Sequence, residues 1–251
     1  MIYLTRKNTL SAIKKMSMFE EKLCGLYRSY NIDVRDNLGR RNMLMSQTQE
    51  LFFYEEILKN GFEASCSGKT GEPDIVIESI GKEVECKLTS GSKSSWPLQC
   101  DYSTLERKGG LDFLYVLCNK SFDKFAVLLF ANLTIDDFYF PAPGSRQKSR
   151  MNKSSAMDKC SVLMGNVENK SDVYVKKYTD DLETHMRISG ERLKTLDNRI
   201  KDSRTRLQKK KISGVLAREK LRILKKERKI KEKITYWENN DSHYSISLES
   251  L

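Results

Sequence analysis

The chain has 251 residues, 39% hydrophobic and 31% charged, which is long enough for one large domain with a sizeable core and an appendage. Lysine and arginine outnumber aspartate and glutamate by 45 to 34, and the window from Lys201 to Lys233 alone holds fifteen bases against four acids, so a neutral body carries a basic arm. No apolar run reaches the roughly eighteen uncharged residues of a membrane span, and the six cysteines (Cys24, Cys66, Cys86, Cys100, Cys118, Cys160) have neither CxxC nor zinc-finger spacing. The two histidines, His185 and His243, stand far apart, which excludes HExxH metalloproteases and histidine-rich nuclease folds. A soluble, cytoplasmic chain with buried, reduced thiols is expected, and any catalysis must rest on carboxylates, lysines or hydroxyls.

Leu10, Ile13, Phe19, Leu23, Leu26, Tyr27 and Tyr30 recur at helical spacing and predict a first helix, capped by Thr9 or Ser11 and running to about Tyr30. The segment Asn31 to Asn42 has turn composition, with Asp36, Asn37 and Gly39. A second helix follows from Ser46 through Leu58, and Asn60-Gly61 ends it. After Gly61 the period becomes extended: residues 74–79 and 82–88 are β-branched runs joined by Ile80-Gly81, a hairpin signal. Leu111 to Cys118 and Phe125 to Ala131 are near-continuous apolar runs, as in strands buried on both faces. Phe138 to Phe140 adds a short edge strand before Pro141 and Pro143.

Residues 1 to about 140 thus read as an α/β sandwich, a mixed central β-sheet flanked by helices. Pro141 to Ser155 holds Arg146, Lys148, Arg150 and Lys153 without an acid and reads as an exposed, positive loop. Beyond Tyr178, Leu182, Met186, Ser189, Leu193, Leu196, Ile200, Ser203 and Leu207 alternate by four and three residues. A second seam runs through Leu216, Ile223, Ile230 and Trp237, with a turn expected at Ser213-Gly214. This predicts a C-terminal basic helical hairpin, and a division into a core of residues 1–175 and an arm with tail of residues 176–251.

The stretch from Gly71 to Lys87 carries the densest chemistry. Glu85 and Lys87 lie two apart on a strand and share a face, while Cys86 points to the other. Asp74 begins the partner strand, within reach of Glu85. Two close carboxylates repel unless something neutralises them, and a hard divalent cation such as Mg²⁺ does so. Lys87 would then orient the metal's water or stabilise charge developing on a phosphate. In the preceding helix Glu50 falls inside the apolar stripe of Leu51, Tyr54, Ile57 and Leu58, with Glu55 on its margin and Glu56 facing away. A carboxylate on a core face needs a partner, which makes Glu50 a third candidate ligand.

Pro73-Asp74 followed by Glu85-Cys86-Lys87, after a helix bearing Glu50, resembles the PD-(D/E)xK nuclease superfamily. The Gly68-Lys69-Thr70-Gly71 turn, and Ser95-Trp96-Pro97-Leu98-Gln99 with Asp101-Tyr102 ahead of an apolar strand, are similar to type II restriction endonucleases. The resemblance spans roughly residues 46 to 135. It implies a restriction-endonuclease-like core in which Asp74, Glu85 and Glu50 bind Mg²⁺, Lys87 assists the attacking water, and a homodimer cuts both strands of duplex DNA, one per site. Lys69, Arg107, Arg146, Lys148, Arg150, Lys153, Lys209, Lys210 and Lys211 are the candidate DNA contacts.

Other readings stay open at this level. Pro73-Asp74 is compatible with a plain turn, and Glu85 with Lys87 with a solvated pair on an edge; the chain would then bind nucleic acid without cutting it. A structure-specific repair nuclease would share the same motif. Gly68-Lys69-Thr70 is not a P-loop, because Glu63 stands where that motif needs glycine and a strand follows. Base recognition is open to the Pro141–Ser155 loop, to Trp96–Arg107, or to the arm, and the arm itself is open to phosphate contact or to pairing between protomers.

Overall fold

The computed structural model describes residues 2–67, 72–91, 96–141, 148–238 and 244–251. The chain divides into two compact units, Met1–Glu168 with Tyr244–Leu251, and Asn169–His243.

The first unit is a mixed α/β fold. Its elements are α1 (Arg6–Arg28), α2 (Leu38–Lys59), β1 (Ile75–Ile77), β2 (Lys82–Ser90), β3 (Gln99–Asp101), α3 (Tyr102–Lys108), β4 (Leu111–Cys118), β5 (Lys124–Leu133), β6 (Lys148–Arg150), α4 (Lys153–Ala156), β7 (Cys160–Met164), β8 (Asn166–Asn169), β9 (Tyr244–Ser247) and β10 (Glu249–Ser250). The central sheet runs β1-β2-β4-β5, with β7 and β10 both on the outer side of β5. The β2–β4 pair is parallel, with Glu85 opposite Phe113 and Lys87 opposite Tyr115, while β1–β2 and β4–β5 are antiparallel, so the sheet is mixed as its sequence pattern predicts.

Every residue of β4 is buried because both sheet faces are covered. On one face α1 and α2 place Ile13, Met16, Met45, Phe53 and Ile57 against Val84, Cys86, Leu114 and Val116. On the other, Trp96, Leu98, Leu105, Met157 and Ile246 pack on Phe113, Tyr115, Leu117 and Phe130.

Several elements differ from the sequence expectation. Helix α1 starts at Arg6, where Thr5 and Asn8 form a capping box; Thr9 lies inside the helix, its hydroxyl donating to the Thr5 carbonyl at 2.9 Å. Helix α2 starts at Leu38 on an Asn37 cap rather than near Ser46. The polar residues read as a turn are helical because Arg41, fully buried, finds distant partners: it donates to the Lys120 carbonyl at 2.5 Å and to Ser90 Oγ at 2.6 Å, and lies 3.6 Å from Glu20. The buried face of α2 comprises Met45, Gln49, Phe53, Glu56 and Ile57, while Leu51 and Leu58 are exposed. The wheel built on apolar residues therefore points at the wrong face, and Glu56 is buried, not turned away.

Strand β1 stops at Ile77, since Glu78–Ile80 form a 3-10 turn closed by Gly81 at φ +61°. Phe138 makes an isolated bridge to Met151 instead of a strand. In the segment read as a positive loop, residues 148–150 form β6, paired with β3, and Lys153 opens α4 half-buried. The tail belongs with the first unit rather than with the arm. Its strand β10 pairs with β5, β9 pairs with β8, and Trp96 Nε1 donates to the Ile246 carbonyl at 3.2 Å. Of the six free cysteines four are buried, Cys160 is half-buried and Cys66 is exposed, so the expectation of uniformly buried thiols fails at those two.

The second unit consists of α5 (Lys170–Lys201) and α6 (Arg206–Glu238). They run antiparallel: Tyr174 stacks on Trp237 at 4.2 Å, Lys233 sits 5.0 Å over the Tyr178 ring, and Arg192 pairs with Glu219 at 3.2 Å. The turn falls at residues 202–205, where Thr205 Oγ1 accepts from the Gln208 amide at 3.2 Å. Gly214, expected to mark the turn, is inside α6, where its cost of about 1 kcal/mol is absorbed by a long helix. Ser189 and Leu196 are buried in the seam, whereas Met186 and Leu207 are exposed and leave it. Among the described residues no helix is long and apolar enough to cross a membrane.

Candidate active site

The site is built at the β1–β2 edge of the sheet. Alternation along β2 sends Val84 and Cys86 into the helix-side core and leaves Glu85 and Lys87 half-buried on the opposite face. Lys87 Nζ lies 2.5 Å from Glu85 Oε1, an ion pair whose side chains are 31% and 14% exposed. Asp74 precedes β1, whose first residue, Ile75, opposes Val84. Its Oδ2 accepts from the Cys86 amide at 2.7 Å, a side chain extending the ladder where the strand has run out. That bond places the Asp74 carboxylate beside Glu85, as the hairpin spacing predicts.

Helix α2 brings Glu50 within electrostatic reach of this group. Burial, then the charges of Asp74 and Glu85, push the Glu50 carboxyl up to about 7, with Lys87 opposing. Burial, then Glu85, push Asp74 up to about 6, against the Cys86 amide and Lys87. Burial works against the Lys87 ammonium, yet Glu85 and Asp74 outweigh it and its pKa is raised, so the lysine is a cation at neutral pH. Three acids and one base thus share a single electrostatic neighbourhood.

Two further groups belong to it that the sequence pattern does not single out. Cys66, in the segment after α2, has its thiol pKa raised by desolvation and then by Glu50 and Asp74. Gln49 is fully buried, with Nε2 donating to the Leu114 carbonyl at 3.1 Å and the Lys87 carbonyl at 3.5 Å, and its Oε1 has no hydrogen-bond partner among the described residues. Gln49 ties α2 to β2 and β4 beside the ion pair. A polar residue at the centre of a buried helix face gives no apolar signal, so nothing in the local pattern marks it.

Among the described residues no group of three His, Cys, Asp or Glu side chains converges as a ready-made cation site. The donor chemistry nonetheless fits a hard divalent ion. Asp74, Glu85 and Glu50 offer only carboxylate oxygens, and two of the three have raised proton affinity through burial and repulsion that a dipositive charge relieves. Mg²⁺ is commonly held by one or two carboxylates with waters filling the remaining positions, and Asp74 and Glu85 form such a pair.

The candidate DNA contacts fall into distinct places. Lys69 and Arg146 lie outside the described residues. Arg107 is exposed near the end of α3, and Lys148 and Arg150 are exposed on β6. Lys153 is half-buried, and burial lowers its ammonium pKa. Lys209, Lys210 and Lys211 are exposed near the start of α6. A cleft of about 380 Å³ opens beside the ion pair, lined by Lys87, Thr89, Gln99, Asp101 and Lys148 among others. No known family model, curated protein or solved structure matches the chain.

Proposed function

We propose that the chain is a Mg²⁺-dependent endonuclease with a restriction-endonuclease-like core, hydrolysing phosphodiester bonds of double-stranded DNA in the cytoplasm at specific sequences, as a homodimer with one site per strand. The observation that carries this reading is the ion pair of Lys87 with Glu85 beside Asp74 and Glu50, at the edge of a cleft. Phosphodiester hydrolysis needs a positioned water, neutralised charge on the non-bridging oxygens and a proton route. Asp74 and Glu85, joined by Glu50, would hold the cation, which when bound supplies charge neutralisation and a more acidic water. Lys87 is the fixed cation that positions the nucleophilic water and meets charge developing on the phosphate. Glu50, whose carboxyl titrates near neutrality, holds or releases a proton within this cluster. The exposed bases of α6 add sequence-independent attraction to phosphates.

A second reading, duplex binding without hydrolysis, rests on the exposed bases Lys209, Lys210 and Lys211 near the start of α6, which attract phosphates without any catalytic group. Purified full-length protein incubated with plasmid separates the two. Mg²⁺-dependent conversion of supercoiled plasmid to linear DNA, abolished by EDTA, supports the nuclease; retention of plasmid on the protein with no strand scission under any divalent ion supports the binder. Discrete fragments from a long defined DNA indicate a restriction activity, and cutting confined to forks or junctions a repair nuclease.

A further inference from the structure

Two of the three regions open to base recognition in the sequence are one element in the fold. Strands β3 and β6 come from distant parts of the chain and pair antiparallel as a two-stranded ribbon, with Gln99 opposite Arg150, Cys100 opposite Ser149 and Asp101 opposite Lys148. Alternation sorts the ribbon: Cys100 and Ser149 are each 2% exposed and face the core, whereas Gln99, Asp101, Lys148 and Arg150 are exposed. The exposed face is thus two facing pairs, an amide with a guanidinium and a carboxylate with an ammonium.

The ribbon's backbone is held from several sides. Tyr115, fully buried on β4, donates its hydroxyl to the Gln99 carbonyl at 2.9 Å. The Met151 amide donates to the Leu98 carbonyl at 2.8 Å, the Tyr139 amide to the Arg150 carbonyl at 2.9 Å, and the Ser149 hydroxyl to the Tyr139 carbonyl. Asp101 is already committed: its Oδ1 accepts from Ser103 Oγ at 2.7 Å and from the Thr104 amide at 3.2 Å, capping α3. The side chains of Gln99, Lys148 and Arg150, by contrast, make no hydrogen bond or ion pair among the described residues. The ribbon thus presents Gln99, Lys148 and Arg150 on a backbone anchored to the core, the arrangement that preorganised recognition requires.

We propose that the exposed face of the β3–β6 ribbon enters the major groove of duplex DNA, where Gln99 and Arg150 read neighbouring base pairs while Lys148 holds the adjoining phosphate. The B-form major groove admits a two-stranded ribbon, and the deep, narrow major groove of A-form RNA does not. Arginine pairs bidentately with guanine O6 and N7, and glutamine with adenine N6 and N7, so the expected contacts are a guanine for Arg150 and an adenine for Gln99. Lys148 and Gln99 line the same cleft as Lys87, so the bases read adjoin the phosphate that the Asp74–Glu85–Lys87 site would attack. The inference deepens the nuclease reading and takes its substrate from it.

The test uses full-length protein and a duplex pool of randomised sequence. Bound sequences are selected in Ca²⁺, and the same pool is cut in Mg²⁺ and its ends sequenced. Wild-type protein should enrich a defined sequence containing adenine and guanine at neighbouring positions. Gln99→Ala and Arg150→Lys should each lose at least tenfold preference at one position, keeping the others and keeping affinity for unselected duplex within about twofold. Lys148→Ala should weaken all sequences alike and flatten the salt dependence by the equivalent of about one phosphate. The ribbon's role is overturned if wild-type protein selects no sequence, if both reading variants keep the wild-type preference, or if an RNA duplex of the selected sequence competes equally. The two proposals fail separately: cutting with preference unchanged in the variants overturns the ribbon and leaves the nuclease, whereas altered selection with no Mg²⁺-dependent cutting overturns the nuclease and leaves the ribbon.

Discussion

Glu50 and Glu56 lie on the same helix, less than two turns apart, and their carboxyls titrate in opposite directions. The Glu56 side chain is 4% exposed, and burial alone would raise its pKa; instead Lys59 at 2.7 Å, Ser11 Oγ at 2.8 Å and Lys15 at 3.1 Å hold it down to about 2. Among the described residues Glu50 has no such company. The nearby cation, Lys87, is bound to Glu85, and the neighbouring Asp74 is another acid, so the Glu50 carboxyl rises to about 7. A carboxylate whose work is to hold helices together is surrounded by donors, whereas one set among other carboxylates is stable only with a proton or a guest cation. The first pattern holds the fold together, and the second is what the proposed cation site requires.

That contrast breaks most visibly under mutation of the acidic cluster. Asp74→Ala or Glu85→Ala should lower Mg²⁺-dependent plasmid cutting to background with the fold kept, the relief of repulsion being offset by loss of the Cys86 amide's acceptor in the first and of the Lys87 ion pair in the second. Lys87→Ala should cost roughly 10²–10³ in rate, as when a fixed charge aimed at a transition state is removed, with metal affinity by titration calorimetry retained. Full cutting by either aspartate or glutamate variant would place the chemistry elsewhere.

The two helix glutamates should then trade roles between assays. Glu50→Gln should lower cutting and leave stability unchanged or improved; Glu56→Gln should leave cutting intact and cost about 2 kcal/mol in urea unfolding, as a buried charge loses its ion pairs to part-exposed lysines. The reverse order in either assay would dissolve the distinction.

Titration sharpens it further. Glu56 has a folded pKa below the ordinary carboxylate value of 4.5, so its contribution is present above pH 4.5 and is lost as pH falls towards 2. Glu50 has a folded pKa above 4.5, so its contribution is present below pH 4.5 and is lost as pH rises through 7; Asp74 behaves likewise from its ordinary 3.8 through about 6. Thermal melts in EDTA should therefore show stability falling between pH 5 and 8, and Glu50→Gln should flatten that slope. Adding Mg²⁺ or Ca²⁺ should raise the melting temperature more at pH 8 than at pH 5, and equal shifts would show that the carboxylates bind no cation. Ca²⁺ should support binding without cutting.

The smallest effect concerns the second unit. Strands β8 and β9 pair where α5 departs and the tail returns, so replacing residues 170–243 by a short turn should leave the core's melting temperature nearly unchanged. The truncated protein's log affinity against log salt should flatten by about 0.9 for each phosphate that the arm no longer neutralises, with base preference kept. A fall in solution mass with an unchanged slope would assign the arm to protomer pairing instead.

How much of this was legible depends on how locally each feature is encoded. β4 and β5 are near-continuous apolar runs, and the β1–β2 hairpin is two β-branched runs about Gly81; period and turn residues are short-range, so the sequence alone determined the sheet's centre. The same period-2 rule put Glu85 and Lys87 on one face and Cys86 on the other, and the hairpin put Asp74 near Glu85. Tertiary structure decided what depended on distant partners. Helix α2 begins at Leu38 and buries Arg41, Gln49 and Glu56 because Glu20, Ser90, Lys120, Leu114, Ser11 and Lys15 lie across from it, and no wheel of apolar residues detects a polar face that is satisfied from elsewhere. The same holds for the β3–β6 ribbon and the tail strands, whose pairing residues are far apart in the chain: three-residue strands carry too little pattern to announce themselves, and only the closed fold brings Gln99 to Arg150 and Glu249 to Phe125.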